Sequence, residues 1–187
     1  MEHLFFDMKD LKYCGENVIV GKTVRIRKPH LVSLGDNVII DDFTYIACAL
    51  EVGPYCHIAS NTNFIGGPGL VTIGAFAGVS AGSCIITGNS DYLGGGLSMP
   101  SIPEEYSQGN SRIEPVVISD YVLLGCNTVV MPGVHLPEGL ATGAFTLLNK
   151  KQYEPWSLYI GAPCRLYSKR DSERLKRDGE ELLKTKR

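Results

Sequence analysis

From Leu34 onward the chain places an aliphatic residue at every sixth position. The units read LGDNVI, IDDFTY, IACALE, VGPYCH, IASNTN and, after a longer FIGGPGLVT stretch, IGAFAG, VSAGSC and IITGNS. The register returns as ISDYVL, LGCNTV, VMPGVH, LPEGLA and TGAFTL. Twelve of these thirteen units open on Ile, Leu or Val, nine carry Gly, Ala or Ser second, and the fifth position is almost entirely small or β-branched. A helix repeats its apolar face every 3.6 residues and a half-buried strand every two, so neither produces this spacing. A period of six fits a coil of three short faces, about eighteen residues per turn, each face a strand paired with the coils above and below. The first and fifth positions then point into a narrow triangular core, and the small second position lets the backbone bend at a corner. A β-sandwich would use similar residues, but its turns fall at irregular spacing. The pattern therefore predicts an all-β parallel β-helix without fixing its hand.

Two segments break the rhythm. TGNSDYLGGG, residues 87–96, opens a polar, glycine-rich excursion that runs through PSIPEEYSQGNSRIEP and gives a protruding loop over about 91–117. Loops longer than about 12–15 residues without regular structure are usually functional. The tail DSERLKRDGEELLKTKR sets Leu175, Leu182 and Leu183 at helical spacing among charges and predicts an amphipathic α-helix packed on the end of the β-helix. The expected organisation is a β-helix domain over 1–170 and a helical tail over 171–187.

Composition adds mostly exclusions. With 187 residues, 44% hydrophobic content and a net charge of −2, the chain suits one core and gives no general reason to expect nucleic-acid binding. No stretch reaches the roughly 18 apolar residues of a membrane span, and MEHLFFDMKD lacks the features of a secretion signal, so a cytoplasmic protein is expected. The six cysteines, at 14, 48, 56, 84, 126 and 164, form no CxxC pair and read as reduced, mostly packed thiols. The four histidines, His3, His30, His57 and His135, include no closely spaced pair, which argues against a metal site.

Beyond these readings, the sequence resembles the hexapeptide-repeat acyltransferases, left-handed parallel β-helices that act as homotrimers and take acyl-coenzyme A. The resemblance covers roughly residues 18–170. It is carried by the loop after IITGNS, the resumption PVVISDYVLLGCNTVVMPGV, the segment TGAFTLLNK and the closing WSLYIGAPCRLYSKR. The start of the loop, IPEEY and the Trp before Tyr-Ile-Gly look like the branch that acylates amino sugars carried on nucleotides. By position, the resemblance implies that Cys126, Ala144, Asn149, Lys150 and Arg165 contact the coenzyme, which would be acetyl-CoA or another acyl-CoA. A second arginine of the family's closing motif is replaced by Ser168, leaving Lys169 or Arg170 as substitutes.

Many sugar O-acetyltransferases of the family place a histidine base where this chain has Asn89. A hydroxyl needs such a base, because it must lose its proton as it attacks. A sugar amine does not, since its lone pair attacks unaided and the proton can pass to the departing thiolate. Asp91 is then the expected catalytic residue, aligning the amine and stabilising the charge it gains, although Asn-Ser-Asp also makes a good Asx-turn. Asn89 and Tyr92 beside it, with Tyr45 and Asn61 from the early coils, are the expected substrate-binding residues. The sequence thus predicts an N-acetyltransferase (N-acyltransferase) acting on a nucleotide-linked amino sugar, with sites at subunit interfaces. The alternatives are a sugar O-acetyltransferase with His57 as base and a non-catalytic β-helix scaffold.

Overall fold

The computed structural model describes residues 5–107 and 109–184. It is a β-solenoid of three sheets. The first face stacks Tyr13–Cys14, Val32–Leu34, Ala49–Val52, Leu70–Ile73, Val116–Ile118 and His135–Leu136 in that order. The second face runs from Ile19–Val20 through Ile39–Ile40, His57–Ile58, Gly78–Val79, Leu123–Leu124 and Ala141–Thr142 to Ser157–Ile160. The third runs from Arg25–Ile26 through Tyr45–Ile46, Asn63–Ile65, Cys84–Ile86 and Val129–Val130 to Leu147–Leu148. Pairing between coils is parallel throughout. Only the closing Arg165–Lys169, which returns along Ser157–Ile160, is antiparallel within these sheets.

The first-position residues Leu34, Ile40, Ile46, Ile58, Ile85, Val130 and Leu136 are all fully buried. The fifth position divides by corner in a way the six-residue pattern does not announce. Between the first and second faces it is Val38, Cys56, Ala77, Val122 and Leu140; between the second and third it is Thr44, Thr62, Ser83, Thr128 and Thr146, all buried. Each hydroxyl of the second set donates to a corner carbonyl, as Thr62 Oγ1 does to Ala59 O at 2.6 Å and Thr146 Oγ1 to Gly143 O at 2.8 Å. An unsatisfied buried hydroxyl would cost about 1–3 kcal/mol, so these bonds let a polar column stand inside the core. Cys56 Sγ likewise donates to Gly74 O at 2.9 Å, and burial pushes its thiol up to about 11.

The reason for the small second position differs from the expected one. Backbone reversal happens two residues later, at fourth-position residues with positive φ: Asn37, Phe43, Tyr55, Asn61, Phe76, Tyr121, Asn127, Phe145, Gly133 and Gly139. The second-position glycines instead make room for the next coil. A Cβ on Gly53 would lie 2.8 Å from the Gly74 carbonyl carbon, and one on Gly125 2.6 Å from that of Gly143.

Because coils stack in register, fourth-position aromatics form a ladder at the corner between the first and second faces. Tyr55 stacks on Phe76 at 5.3 Å and Phe76 on Tyr121 at 5.1 Å between ring centroids. Gly139 leaves the next rung open, and Trp156 fills it to meet Tyr121 at 5.7 Å. The C-terminal helix, Glu173–Lys184, crosses this ladder on the flank of the solenoid rather than covering its end; residues 185–187 of the expected helix lie outside the described residues. Gly179 is buried against Tyr121, with no room there for a Cβ, and Lys176 sits 4.9 Å above the Trp156 ring while pairing with Glu138.

The inward and outward neighbours Leu148 and Leu147 offer a direct check, since only Leu148 is fully buried. Leu148→Ala should cost about 2–5 kcal/mol by urea denaturation, and Leu147→Ala about 1 kcal/mol or less.

Candidate active site

The excursion leaves the solenoid earlier than the repeat suggests. Asn89 does not occupy an inward fifth position of IITGNS, because Thr87 is the last residue held in the core and Gly88–Ser90 pair antiparallel with Ser111–Ile113. The Glu114 N–H closes the hairpin by donating to Thr87 O at 2.8 Å, so the excursion spans 88–115 where 91–117 is expected. Two glycine features permit this exit. Gly66 and Gly67 take positive φ on the coil below, and a Cβ on Gly69 or Gly88 would strike the crossing chain.

The loop builds two adjoining cavities. One, of about 550 Å³, is lined by Asn89, Asp91, Tyr92, Asn110 and Arg112 among others. Asp91 Oδ1 accepts from the Leu93 N–H at 2.8 Å and Oδ2 from the Gly95 N–H at 2.5 Å, so the carboxylate does form the turn. A carboxylate has about four lone-pair sites, which leaves acceptor capacity for a substrate amine. Tyr92 is 82% exposed and projects from the loop tip. The second cavity, of about 600 Å³, lies between loop residues 98–107 and 111–113 and the early coils, and Tyr45 lines it.

The expected coenzyme residues separate into two groups. Cys126 and Ala144 are exposed on successive coils at the corner between the second and third faces, joined by the Phe145 N–H donating to Cys126 O at 2.8 Å. Arg165 pairs in register with Ile160, whose side chain covers Gly143 at the same corner. Asn61 stands on that corner too, with a φ of 58°, and lines neither loop cavity. Asn149 and Lys150 lie across the third face, beside the root of the loop. Lys150 is no free coil-edge cation: its Nζ donates to Glu114 Oε1 at 2.7 Å, and Arg112 Nη2 donates to the same oxygen at 2.9 Å. These bonds, Lys150 first, hold the Glu114 carboxyl below the usual carboxylate range. No local pattern marks Glu114, whose partners are 2 and 36 residues away.

Both substitutes for the missing second arginine have partners within the chain. Arg170 Nη1 donates to Tyr121 O at 2.8 Å and Gly139 O at 2.9 Å, clamping the aromatic corner, and Lys169 pairs with Glu154. His57 lies on the outward side of the second face, where Nε2 meets Asp41 Oδ2 at 2.8 Å, in a groove that also includes Ser80 and Cys126. His135 contacts Ser119 on the first face. All six cysteines are free. Among the described residues no three His, Cys, Asp or Glu side chains gather as a metal site, and no helix is long and apolar enough to cross a membrane.

No protein-family model matches the chain. A dTDP-4-amino-4,6-dideoxy-D-glucose acyltransferase of Escherichia coli, however, is 34% identical over 167 residues, 88% of this chain and 85% of that protein. The chain belongs to the hexapeptide-repeat acyltransferases, in the branch that N-acylates nucleotide-linked amino sugars. AntD, an N-acyltransferase from Bacillus cereus solved with dTDP and 3-hydroxybutyryl-CoA, is 28% identical and superposes over 100% of both chains with a TM-score of 0.88. A hexapeptide-repeat acetyltransferase of Vibrio cholerae, solved with acetyl-CoA, is 19% identical, covers 87% of this chain and 74% of its own with a TM-score of 0.58, and shares the fold. This hexapeptide-repeat acyltransferase therefore uses an acyl-CoA donor and a nucleotide amino-sugar acceptor.

The Glu114 contacts generate a pH signature. A glutamate in the unfolded chain titrates near about 4.3. With the folded-state value lowered, the stabilisation is complete above that pH and disappears as pH falls through the folded value. Glu114→Gln should melt below the wild type at pH 6, and the two melting temperatures should converge as pH is taken from 6 towards 3.

Proposed function

We propose that the enzyme transfers an acyl group from coenzyme A to the 4-amine of a dTDP-linked 4-amino-4,6-dideoxyglucose. The near full-length relation to the Escherichia coli enzyme carries this reading, and the structures of AntD with dTDP-4-amino-4,6-dideoxyglucose and coenzyme A support it. The neutral amine attacks the thioester carbonyl carbon, the tetrahedral intermediate expels the coenzyme thiolate, and the proton lost by nitrogen ends on that sulfur. Asp91 accepts a hydrogen bond from the attacking amine. Its turn contacts with Leu93 and Gly95 fix the carboxylate in advance, which is what alignment requires. Cys126, Ala144 and Arg165 line the course of the coenzyme, and Lys150 stands by its phosphates or amides. The reaction belongs in the reducing cytoplasm, in keeping with six free thiols.

We also assign the working form as a homotrimer with sites at the seams. The outward column of the second face, Ile19, Ile39, His57, Gly78, Leu123 and Ala141, is stacked in register and mostly apolar. Ile19 and Leu123 are 56% and 43% exposed in the single chain. A second copy covering this stripe would bring a neighbour's loop towards the corner that carries Cys126 and Ala144. Leu123→Glu should shift sedimentation from three chains per particle to one and abolish turnover; a stable, active monomer would remove the seam assignment.

One observation favours a different reading. The His57–Asp41 pair, sharing a groove with Cys126, has the composition of a buttressed base for a hydroxyl acceptor. Incubation with acyl-CoA donors and dTDP-, UDP- and GDP-linked amino sugars, followed by thiol release, should show turnover with the dTDP-linked amine. Asp91→Ala should lower kcat by about 10- to 1000-fold, the worth of alignment and one charge-assisted hydrogen bond of about 1.5–4 kcal/mol. Asp91→Asn should retain more activity than Asp91→Ala. His57→Ala should cost less than about tenfold, whereas loss of a true base costs about 10²–10⁴. Abolition by His57→Ala with Asp91→Ala intact would transfer the assignment to hydroxyl chemistry.

A further inference from the structure

The cavity between the loop and the early coils has two unlike walls. On the coil side stand Arg27 and Lys28, both exposed, at the end of the first third-face strand. Near the loop root and the closing segment, Arg112 and Lys150 pair with Glu114, Lys169 with Glu154 and Arg170 with backbone carbonyls, while Arg165 and Lys150 are the cations assigned above to the coenzyme. Arg27 and Lys28 have no side-chain partner among the described residues. Glu104, from the short loop helix Glu104–Ser107, also lines the cavity but forms no ion pair with either. The remaining surface is largely apolar, with Ile65, Pro68, Met99 and Ile102, and Tyr45 beside it.

Two cations without ion-pair partners among the described residues, lining a mixed but mainly apolar cavity of about 600 Å³, suit a ligand with an apolar part and about two negative charges. A nucleoside diphosphate esterified to a sugar has that make-up, one charge on each phosphate and a base to cover. Coenzyme A, with a 3'-phosphate besides its pyrophosphate, carries more charge, and its candidate corner lies across the third face. Ser90 and Ser111 line both loop cavities. A sugar attached to a diphosphate in this cavity can therefore pass the shared serine pair to meet Asp91 in the adjoining one.

Resting on the N-acyltransferase reading above, we propose that this cavity seats the nucleoside diphosphate of the acceptor. Arg27 and Lys28 bind its two phosphates, and Ile65, Met99 and Ile102 cover the base. Glu104 accepts a hydrogen bond from the base N–H or a ribose hydroxyl. The loop thereby performs two tasks, covering the nucleotide with residues 98–107 and 111–113 and presenting Asp91 to the sugar.

The probe is dTDP itself, titrated calorimetrically into the full chain. Arg27→Ala and Lys28→Ala should each weaken dTDP binding by about tenfold, as loss of one charge-assisted contact implies, and the double variant by considerably more. The Michaelis constant for acyl-CoA should stay unchanged. Arg27→Lys should recover part of the affinity, and Lys22→Ala, an exposed cation of the same coil outside the cavity, should have no effect. If the wild type acylates the dTDP-linked amine and the double variant still binds dTDP as tightly, the cavity assignment falls and the activity stands. If the wild type neither binds dTDP nor acylates such sugars, both fall. A rise in the Michaelis constant for acyl-CoA alone would reassign the two cations to the coenzyme.

Discussion

Everything in this molecule depends on parallel backbone pairing between successive coils. Strands in a sheet lie about 4.8 Å apart, so each coil must sit directly on the one below, and equivalent residues form columns rather than a dispersed core. A column admits only what can stack on itself. Aliphatic residues fill the inner columns, hydroxyls survive in one of them because each finds a corner carbonyl, and glycines at the second position yield their space to the next turn. The aromatic ladder from Tyr55 to Trp156 is the same rule expressed on the outside, and the helix that crosses it needs Gly179 to approach Tyr121.

Function enters where that rule is suspended. At Thr87 the chain leaves the core, crosses its own path over Gly66, and returns through Glu114 after an antiparallel hairpin. The coils above and below still pair across the gap, since Val71–Ile73 meets Val116–Ile118 without loss of register. A long insertion of this kind is cheap because the scaffold on both sides is complete without it. Glu114 then ties the loop root, through Arg112, to Lys150 on the last third-face turn.

The division of labour along the solenoid follows from this geometry. The loop folds back over the early coils and makes its larger cavity there, whereas Cys126, Ala144 and Arg165 sit on later coils at another corner. On the proposed assignments acceptor and donor have separate floors, and a neighbouring subunit seated on the outward apolar stripe of the second face would join them. Arg170 and Lys169, basic residues in the closing motif, are paired within the scaffold.

The six-residue repeat by itself determined the coil, its three faces, the inward first and fifth positions, and the presence of a loop too long to be a turn. Those features are periodic and local, so they survive in the linear order of side chains. Resemblance in the loop and closing motif carried the family and the acyl-CoA chemistry. The tertiary structure alone decided which corner each column occupies, and hence why fifth positions split into hydroxyls and apolar residues. It also decided that the excursion begins at Gly88, that the tail lies on the flank, and that Lys150 shares Glu114 with Arg112. Arg27 and Lys28 look like ordinary surface charges in sequence; only the fold places them under a loop some seventy residues away. Such pairings join residues far apart along the chain, and the stacking of coils brings them together through space in a way no local pattern records.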